Sequence, residues 1–151
     1  MEPGSSGRHL ALYGPGYLHL VPRSDLMSAT ATATSVQELD KQLNDDVLSG
    51  KAMEAFEKYY ADDVVMQENS EEPRRGKDVN RKAEEEFFSS VEAFNGGSVK
   101  ASAVNGDVTF SEWEYDLTFK GGKRVKMNQV AVRRWKNGKI ASERFYYNKE
   151  G

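Results

Sequence analysis

Glu68 is the carboxylate whose surroundings most suggest chemistry. It ends the run Val64-Val65-Met66-Gln67-Glu68, so in an extended strand it shares a face with Val64 and Met66. A carboxyl held among apolar side chains resists ionisation, its pKa rises above the ~4.3 of a free Glu, and it can then move a proton near neutral pH. The competing reading is a solvated acid at the head of the acidic loop Glu68–Glu72. Arg133 and Glu143 form a second pair of interest, because they flank Asn137-Gly138. A tight turn there sets them on adjacent strands within reach of each other. Arg133 could anchor a carboxylate or enolate with Glu143 orienting it, or the two could be a structural cross-strand ion pair.

Other chemistries are limited by composition. The chain has no Cys, which excludes disulfides, thiolate catalysis and Cys-ligated metal. Its two histidines, His9 and His19, both precede Met27. The basic group Arg74, Arg75, Lys77, Arg81 and Lys82 is flanked by Glu71-Glu72 and Glu84–Glu86, and reads as a solvated helix face. Gly121-Gly122 reads as a hairpin turn, not a phosphate loop, because no helix pattern follows it. Glu84–Glu86 are consecutive on a helix and do not converge on one metal. The expectation is no metal, no nucleotide and no other cofactor.

The elements that position these residues follow from periodicity. Val36, Leu39, Leu43 and Val47 recur at helical spacing after Thr34-Ser35, and Gly50 ends that helix. A second helix turns Ala52, Met53, Phe56 and Tyr59 or Tyr60 inward and stops at Asp62-Asp63. A short strand covers Val64–Glu68, and Asn69–Arg75 is a loop closed by Gly76. In a third helix Val79, Ala83, Phe87 and Val91 form the inner row, with Lys82 and Glu84–Glu86 facing water. From Ser98 the period is two. Strands end at Asn105-Gly106, at Lys120-Gly121-Gly122 and at Asn137-Gly138, and the last runs Ile140–Asn148. Ser111, Trp113, Tyr115, Leu117 and Phe119 share one face, opposite Glu112, Glu114 and Asp116. Helices followed by an antiparallel meander predict an α+β fold.

The 151 residues, 38% apolar and 30% charged, suit one globular domain. A net charge of −3 gives no bulk attraction for nucleic acid, and no run approaches the ~18 apolar residues of a membrane helix. The expectation is a cytoplasmic protein engaging neither nucleic acid nor membrane. Residues 1–26 are aperiodic and contain Leu20-Val21-Pro22-Arg23-Ser24, similar to a protease-cleavage linker; they read as a vector-derived or disordered leader. Residues 27–34 read as a disordered lead-in and 35–148 as the domain.

The helix-one to helix-two passage, Tyr60-Ala61-Asp62-Asp63, the Gly76 opening helix three and Asn137-Gly138-Lys139-Ile140 together resemble the nuclear transport factor two-like superfamily. Within it they most resemble the SnoaL-like and ketosteroid-isomerase-like branch. The resemblance implies a cone-shaped α+β barrel, three N-terminal helices packed in a curved antiparallel sheet. It implies a cofactor-independent isomerase, cyclase or hydrolase using a pocket carboxylate, or else a non-catalytic dimerisation or scaffold domain. Glu68 occupies the position of the isomerases' catalytic base. Leu43 stands where they carry an oxyanion-stabilising Tyr and Ala131 where they carry a protonated Asp, so their steroid chemistry is not expected. Epoxide-hydrolysing relatives place Arg and Asp two apart on one strand; here Gln129, Ala131 and Arg133 break that pattern.

On strand parity the cone is lined by Met66, Glu68, Trp113, Tyr115, Met127, Gln129, Ala131, Arg133, Glu143, Phe145 and Tyr147. Trp113 and Tyr115 serve either as core or as a ligand platform. The expected partners are a small apolar or mixed-polarity ligand and a second copy of the chain. The second copy would dock through an outer face where Val130 and Val132 lie among Glu112, Glu114, Asp116, Lys126 and Arg134.

Overall fold

The computed structural model describes residues 33–148. The leader expectation for 1–26, and the lead-in up to residue 32, lie outside the described residues. Helix α1 spans Val36–Leu48. Ser35 caps it in a capping box with Glu38, each side chain satisfying the other's backbone N–H. Gly50, at φ 82°, turns the chain into helix α2, Ala52–Tyr59. Strand β1, Tyr60–Glu68, follows at once, so Tyr60 opens a strand and Asp62-Asp63 lie inside it. The expected loop is shortened by a two-residue strand β2, Arg74–Arg75, which pairs with Val65 and Met66. Helix α3 covers Lys77–Ser90.

Four long strands complete the chain: β3 Val91–Asn105, β4 Val108–Phe119, β5 Arg124–Lys136 and β6 Lys139–Tyr147. Strand β3 begins seven residues before the expected Ser98, carrying Gly96-Gly97 through an irregular register rather than breaking there. Such bulges bend and twist a strand. Asn137 and Gly138 have φ 52° and 75°, the two positive values that a tight hairpin turn requires.

The sheet order is β2-β1-β6-β5-β4-β3. Two features of the expected architecture need correction. The sheet is mixed rather than antiparallel, because β1 runs parallel to β6, reached through α3 and the meander. Among the described residues it is also open, with β2 and β3 at its two edges, so the cone is not closed into a barrel. The fold remains α+β, with the helices on the concave face.

Cross-strand register fixes which residues share that face. Thr109, Arg133 and Glu143 align in one row, Ser111, Ala131 and Phe145 in the next, then Trp113, Gln129 and Tyr147, then Tyr115 and Met127. Met66 pairs with Glu143 and Glu68 with Phe145, extending the first two rows onto β1. At the narrow end Leu43, Ala55, Phe56, Tyr59, Val64, Met66, Trp135 and Ile140 form the core. Each contributes about 1.5–3 kcal/mol if large and aliphatic or aromatic.

Helix α3 is rotated from the expected phase. Val79 is 54% and Phe87 38% exposed, whereas Asn80 is wholly buried and Glu84 half-buried. The Asn80 amide donates to the Gly76 and Arg74 carbonyls at 2.8 and 3.2 Å, and its oxygen accepts from Arg74 Nε at 3.2 Å. A buried amide, not an apolar row, ties α3 to the sheet.

Candidate functional site

The floor of the cone is an ion network centred on Arg133. Its Nε donates to Glu143 Oε1 at 2.7 Å, and its Nη1 donates to Asp40 Oδ1 at 2.8 Å and Asn44 Oδ1 at 2.7 Å. Asp40 also accepts from Thr109 Oγ1 at 2.7 Å, Ser111 Oγ at 2.9 Å and Asn44 Nδ2 at 3.2 Å. Tyr60 donates its hydroxyl to Glu143 Oε2 at 2.6 Å. Trp135 Nε1 donates to Thr109 Oγ1 at 3.0 Å. Asp40, Asn44, Thr109, Ser111, Arg133 and Glu143 are all buried.

Helical spacing explains the α1 contribution, since Asp40 and Asn44 are one turn apart on one face. Burial opposes the Arg133 charge, but Glu143, Tyr60 and Asp40 outweigh it and hold the guanidinium firmly protonated. Burial likewise pushes the Glu143 carboxyl up, while Arg133 and Tyr60 pull it back. Tyr60 is raised well above its ordinary value by burial and then by Glu143, so it stays a donor. Asp40 already receives four donors, which leaves little capacity to bind a reactant.

Toward the mouth the rows are only partly covered. Tyr115, Met127, Gln129, Phe145 and Tyr147 are half-buried, whereas Trp113 below them is 1% exposed. Trp113 and Tyr115 stack at 5.2 Å, and the Arg133 guanidinium carbon lies 6.0 Å from the Trp113 ring centre. Glu68 stands at this level, its side chain 21% exposed and paired with Arg74 Nη2 at 3.2 Å. Burial and the neighbouring Glu68 push the Tyr147 hydroxyl up to about 12. Glu84, on α3, is raised to about 7, first by burial and then by the charges of Glu143 and Glu68, with Arg74 opposing.

The parity-assigned lining residues therefore share the inner face, with Arg133 and Glu143 in direct contact. Glu84 contradicts its expected place in water: α3 turns it inward beside Asn80. Asp40, Asn44 and Glu84 were missed, because a search for apolar rows passes over polar residues on a helix's inner side. The available signal was Ser111 and Arg133 on an otherwise apolar strand face, since buried polar groups demand partners. Among the described residues two grooves touch the mouth rows, and neither is lined by Glu68: one of about 370 Å³ is lined by Asn69, Glu112, Gln129, Val130, Tyr146 and Tyr147, the other, about 250 Å³, by Gly97, Glu114 and Tyr115 among others. Among the described residues no group of three or more His, Cys, Asp or Glu side chains could hold a metal ion. Among them, too, no helix is long and apolar enough to cross a membrane.

The family model of the SnoaL-like domain matches residues 34–147. A Mesorhizobium loti protein, provisionally named a SnoaL-like polyketide cyclase, is 35% identical with TM-score 0.67, over 76% of this chain and 100% of that one. A Catenulispora acidiphila protein with a ketosteroid-isomerase-like fold, solved with trimethylamine, shares 16% identity and TM-score 0.63, over 76% and 88% of the two chains. The Streptomyces galilaeus protein AclR, provisionally named a hydroxylase, shares 15% identity and TM-score 0.63, over 75% and 88%. No curated protein matches the chain. With the helices, the concave sheet and the family match in agreement, the chain belongs to the SnoaL-like domain family.

Proposed function

We propose that this domain binds a small organic molecule in the mouth of the cone and acts on it without a cofactor, as an isomerase, cyclase or hydrolase using a pocket carboxylate. The observation that carries this reading is the burial gradient along the inner face. A sealed, charged floor at Asp40–Arg133–Glu143 gives way to half-buried aromatic walls with Glu68 and Glu84 beside them. A concave apolar surface with a few convergent polar groups is the usual form of a small-molecule site. The cyclase and hydroxylase names of similar proteins support an organic substrate, and trimethylamine in a protein of this fold supports a small one.

The floor sets the electrostatics and holds the walls, because its oxygens are already committed. Proton transfer then falls to the mouth, with Glu68, which stands where the resembling isomerases carry their base, as the acid or base. A thermal-shift screen of ketones, lactones, epoxides and amines tests the reading: hits should raise the melting temperature of the wild type and lose that effect in Glu68→Gln. A screen without hits would leave the scaffold reading. That second reading has its own observation, an outer face on which Phe110 and Tyr146 are 38% and 45% exposed.

A further inference from the structure

The larger groove, about 370 Å³, lies at a step in the sheet. Strand β6 stops at Tyr147, opposite Gln129, whereas β5 reaches back to Arg124 with only β4 beside it among the described residues. Asn128 and Gln129 line the groove from β5, and Tyr146, Tyr147 and Asn148 line it from the end of β6. Asn69 adds a fixed wall at φ 48°. Its N–H donates to the Phe145 carbonyl at 2.8 Å, its carbonyl accepts from Arg144 Nε at 2.8 Å, and its Oδ1 accepts from the Tyr147 N–H at 2.9 Å. A wall held this way needs little ordering when a ligand arrives. Four of the eight lining residues are carboxamides, Asn69, Asn128, Gln129 and Asn148, which sets the chemistry of the groove. Among the described residues the side chains of Asn128, Gln129 and Asn148 have no hydrogen-bond partner, and the Asn69 amide nitrogen donates to none.

We propose that this groove binds a neutral saccharide, its hydroxyls paired with the carboxamides of Asn128, Gln129 and Asn148 and a ring face packed on Tyr146. A carboxamide offers an acceptor and two donors. Adjoining hydroxyls of a sugar each donate and accept, so one carboxamide can hold two of them. A ligand with acceptors alone, or donors alone, would leave half of that lining unpaired. Charge points the same way. No Lys or Arg lines the groove to attract an anion, and its one acid, Glu112, is offset by Arg144, 4.7 Å from the Tyr146 ring centre. Val130 is its only aliphatic residue, too little to hold an apolar ligand. Tyr146 is 45% exposed and presents an apolar ring with a polar tip. The volume is near the lower end of the ~300–1,000 Å³ of small-molecule sites, which suits a small saccharide. This inference goes beyond the mouth reading, since neither Glu68 nor Trp113 lines the groove. The groove shares Glu112, Val130 and Tyr146 with the outer face on which a second copy would dock, so saccharide and second copy compete.

Side-chain amide signals in NMR test the site directly. The full chain is titrated with the methyl glycosides of glucose, galactose and mannose, with glucuronate and glucosamine as charged counterparts, and with a capped Thr/Val peptide. Each titration is repeated on Val132→Glu, which adds an acid to the docking face without altering a lining residue, so a competing copy cannot hide the site. At least one neutral glycoside should move the amide signals of Asn128 and Asn148. Those of Asn44 and Asn80, buried and already hydrogen-bonded, should stay still. That glycoside should bind about fivefold tighter than either charged sugar, the worth of one hydrogen bond. Tyr146→Ala should weaken it roughly tenfold and Tyr146→Phe much less. Asn128→Ala should weaken it by about two- to tenfold. Tyr146 and Asn128 are both exposed, so circular dichroism of these variants should match the wild type. No shift with any glycoside in either protein, tighter binding of a charged sugar or of the peptide, or undiminished affinity in Tyr146→Ala overturns the saccharide site. Each of those results leaves the mouth reading standing, because the thermal-shift screen and Glu68→Gln test it separately.

Discussion

Arg133 joins helix α1 to strand β6 through two carboxylates, and the consequence is measurable as stability. Removing one partner of a buried ion pair typically costs 3–5 kcal/mol, because the remaining charge has lost its compensation. Arg133→Leu strands Asp40 and Glu143 together, so urea unfolding should show a loss at the top of that range, with unchanged denaturant slope. A loss under 1 kcal/mol would mean that water reaches the floor. Glu84 gives a prediction of opposite sign. Its folded pKa of about 7 lies above the ordinary carboxyl value, so the folded state holds the proton more tightly than the unfolded one. Stability from this group is complete below about pH 4.5 and is lost as pH rises through 7. Glu84→Gln should therefore raise stability at pH 8, by roughly 2–3 kcal/mol at most, and leave it unchanged at pH 4.5. Equal effects at both pH values would place the carboxyl in solvent. At this scale the sequence was readable where strand parity applied. Arg133 and Glu143 fall on one face about a two-residue turn, and the register pairs them. Asp40 and Glu84 were illegible because a helical residue's direction depends on the phase of the whole helix, which packing decides.

Helix α3 shows how that phase is set. Val79, Ala83 and Phe87 form an apolar row, yet Val79 and Phe87 are exposed. The helix starts at Gly76, with φ 93°, directly after the β2 pairing to β1. That start presents Asn80 to the carbonyls of Gly76, Arg74 and Val64, which need donors once buried. Satisfying them outweighs turning Val79 inward. Asn80→Ala should then cost about 1–3 kcal/mol, whereas Val79→Gln should stay within about 0.5 kcal/mol. The reverse order in chemical denaturation would restore the apolar row as the inner face. By contrast the three hairpins were legible, because Asn-Gly and Gly-Gly pairs supply the positive φ those turns demand. Strand β2 and the early part of β3 were not, being respectively too short and too irregular for a period of two to register.

At the scale of the whole molecule, the open sheet leaves a convex face to be accounted for. Register aligns Phe110 with Val132 and Arg144, and the next outward row aligns Glu112 with Val130 and Tyr146. Phe110 and Tyr146 are 38% and 45% exposed, and Arg144 lies over the Tyr146 ring at 4.7 Å. Acids at Glu112 and Glu114 share this face with Lys126 and Arg134. A twofold copy docked on this face would cover the apolar rows with the same rows of its partner, as an isologous interface requires. A stable dimer needs about 800 Å² from each partner, which several long strands can supply. The expected outcome is a homodimer in sedimentation velocity at tens of micromolar. Val132→Glu, which adds an acid beside Phe110, Val130 and Tyr146, should shift it to monomer without lowering the helix content. A wild-type monomer at that concentration would remove the dimer, and with it the main support for the scaffold reading, but would leave the cone's inner face untouched.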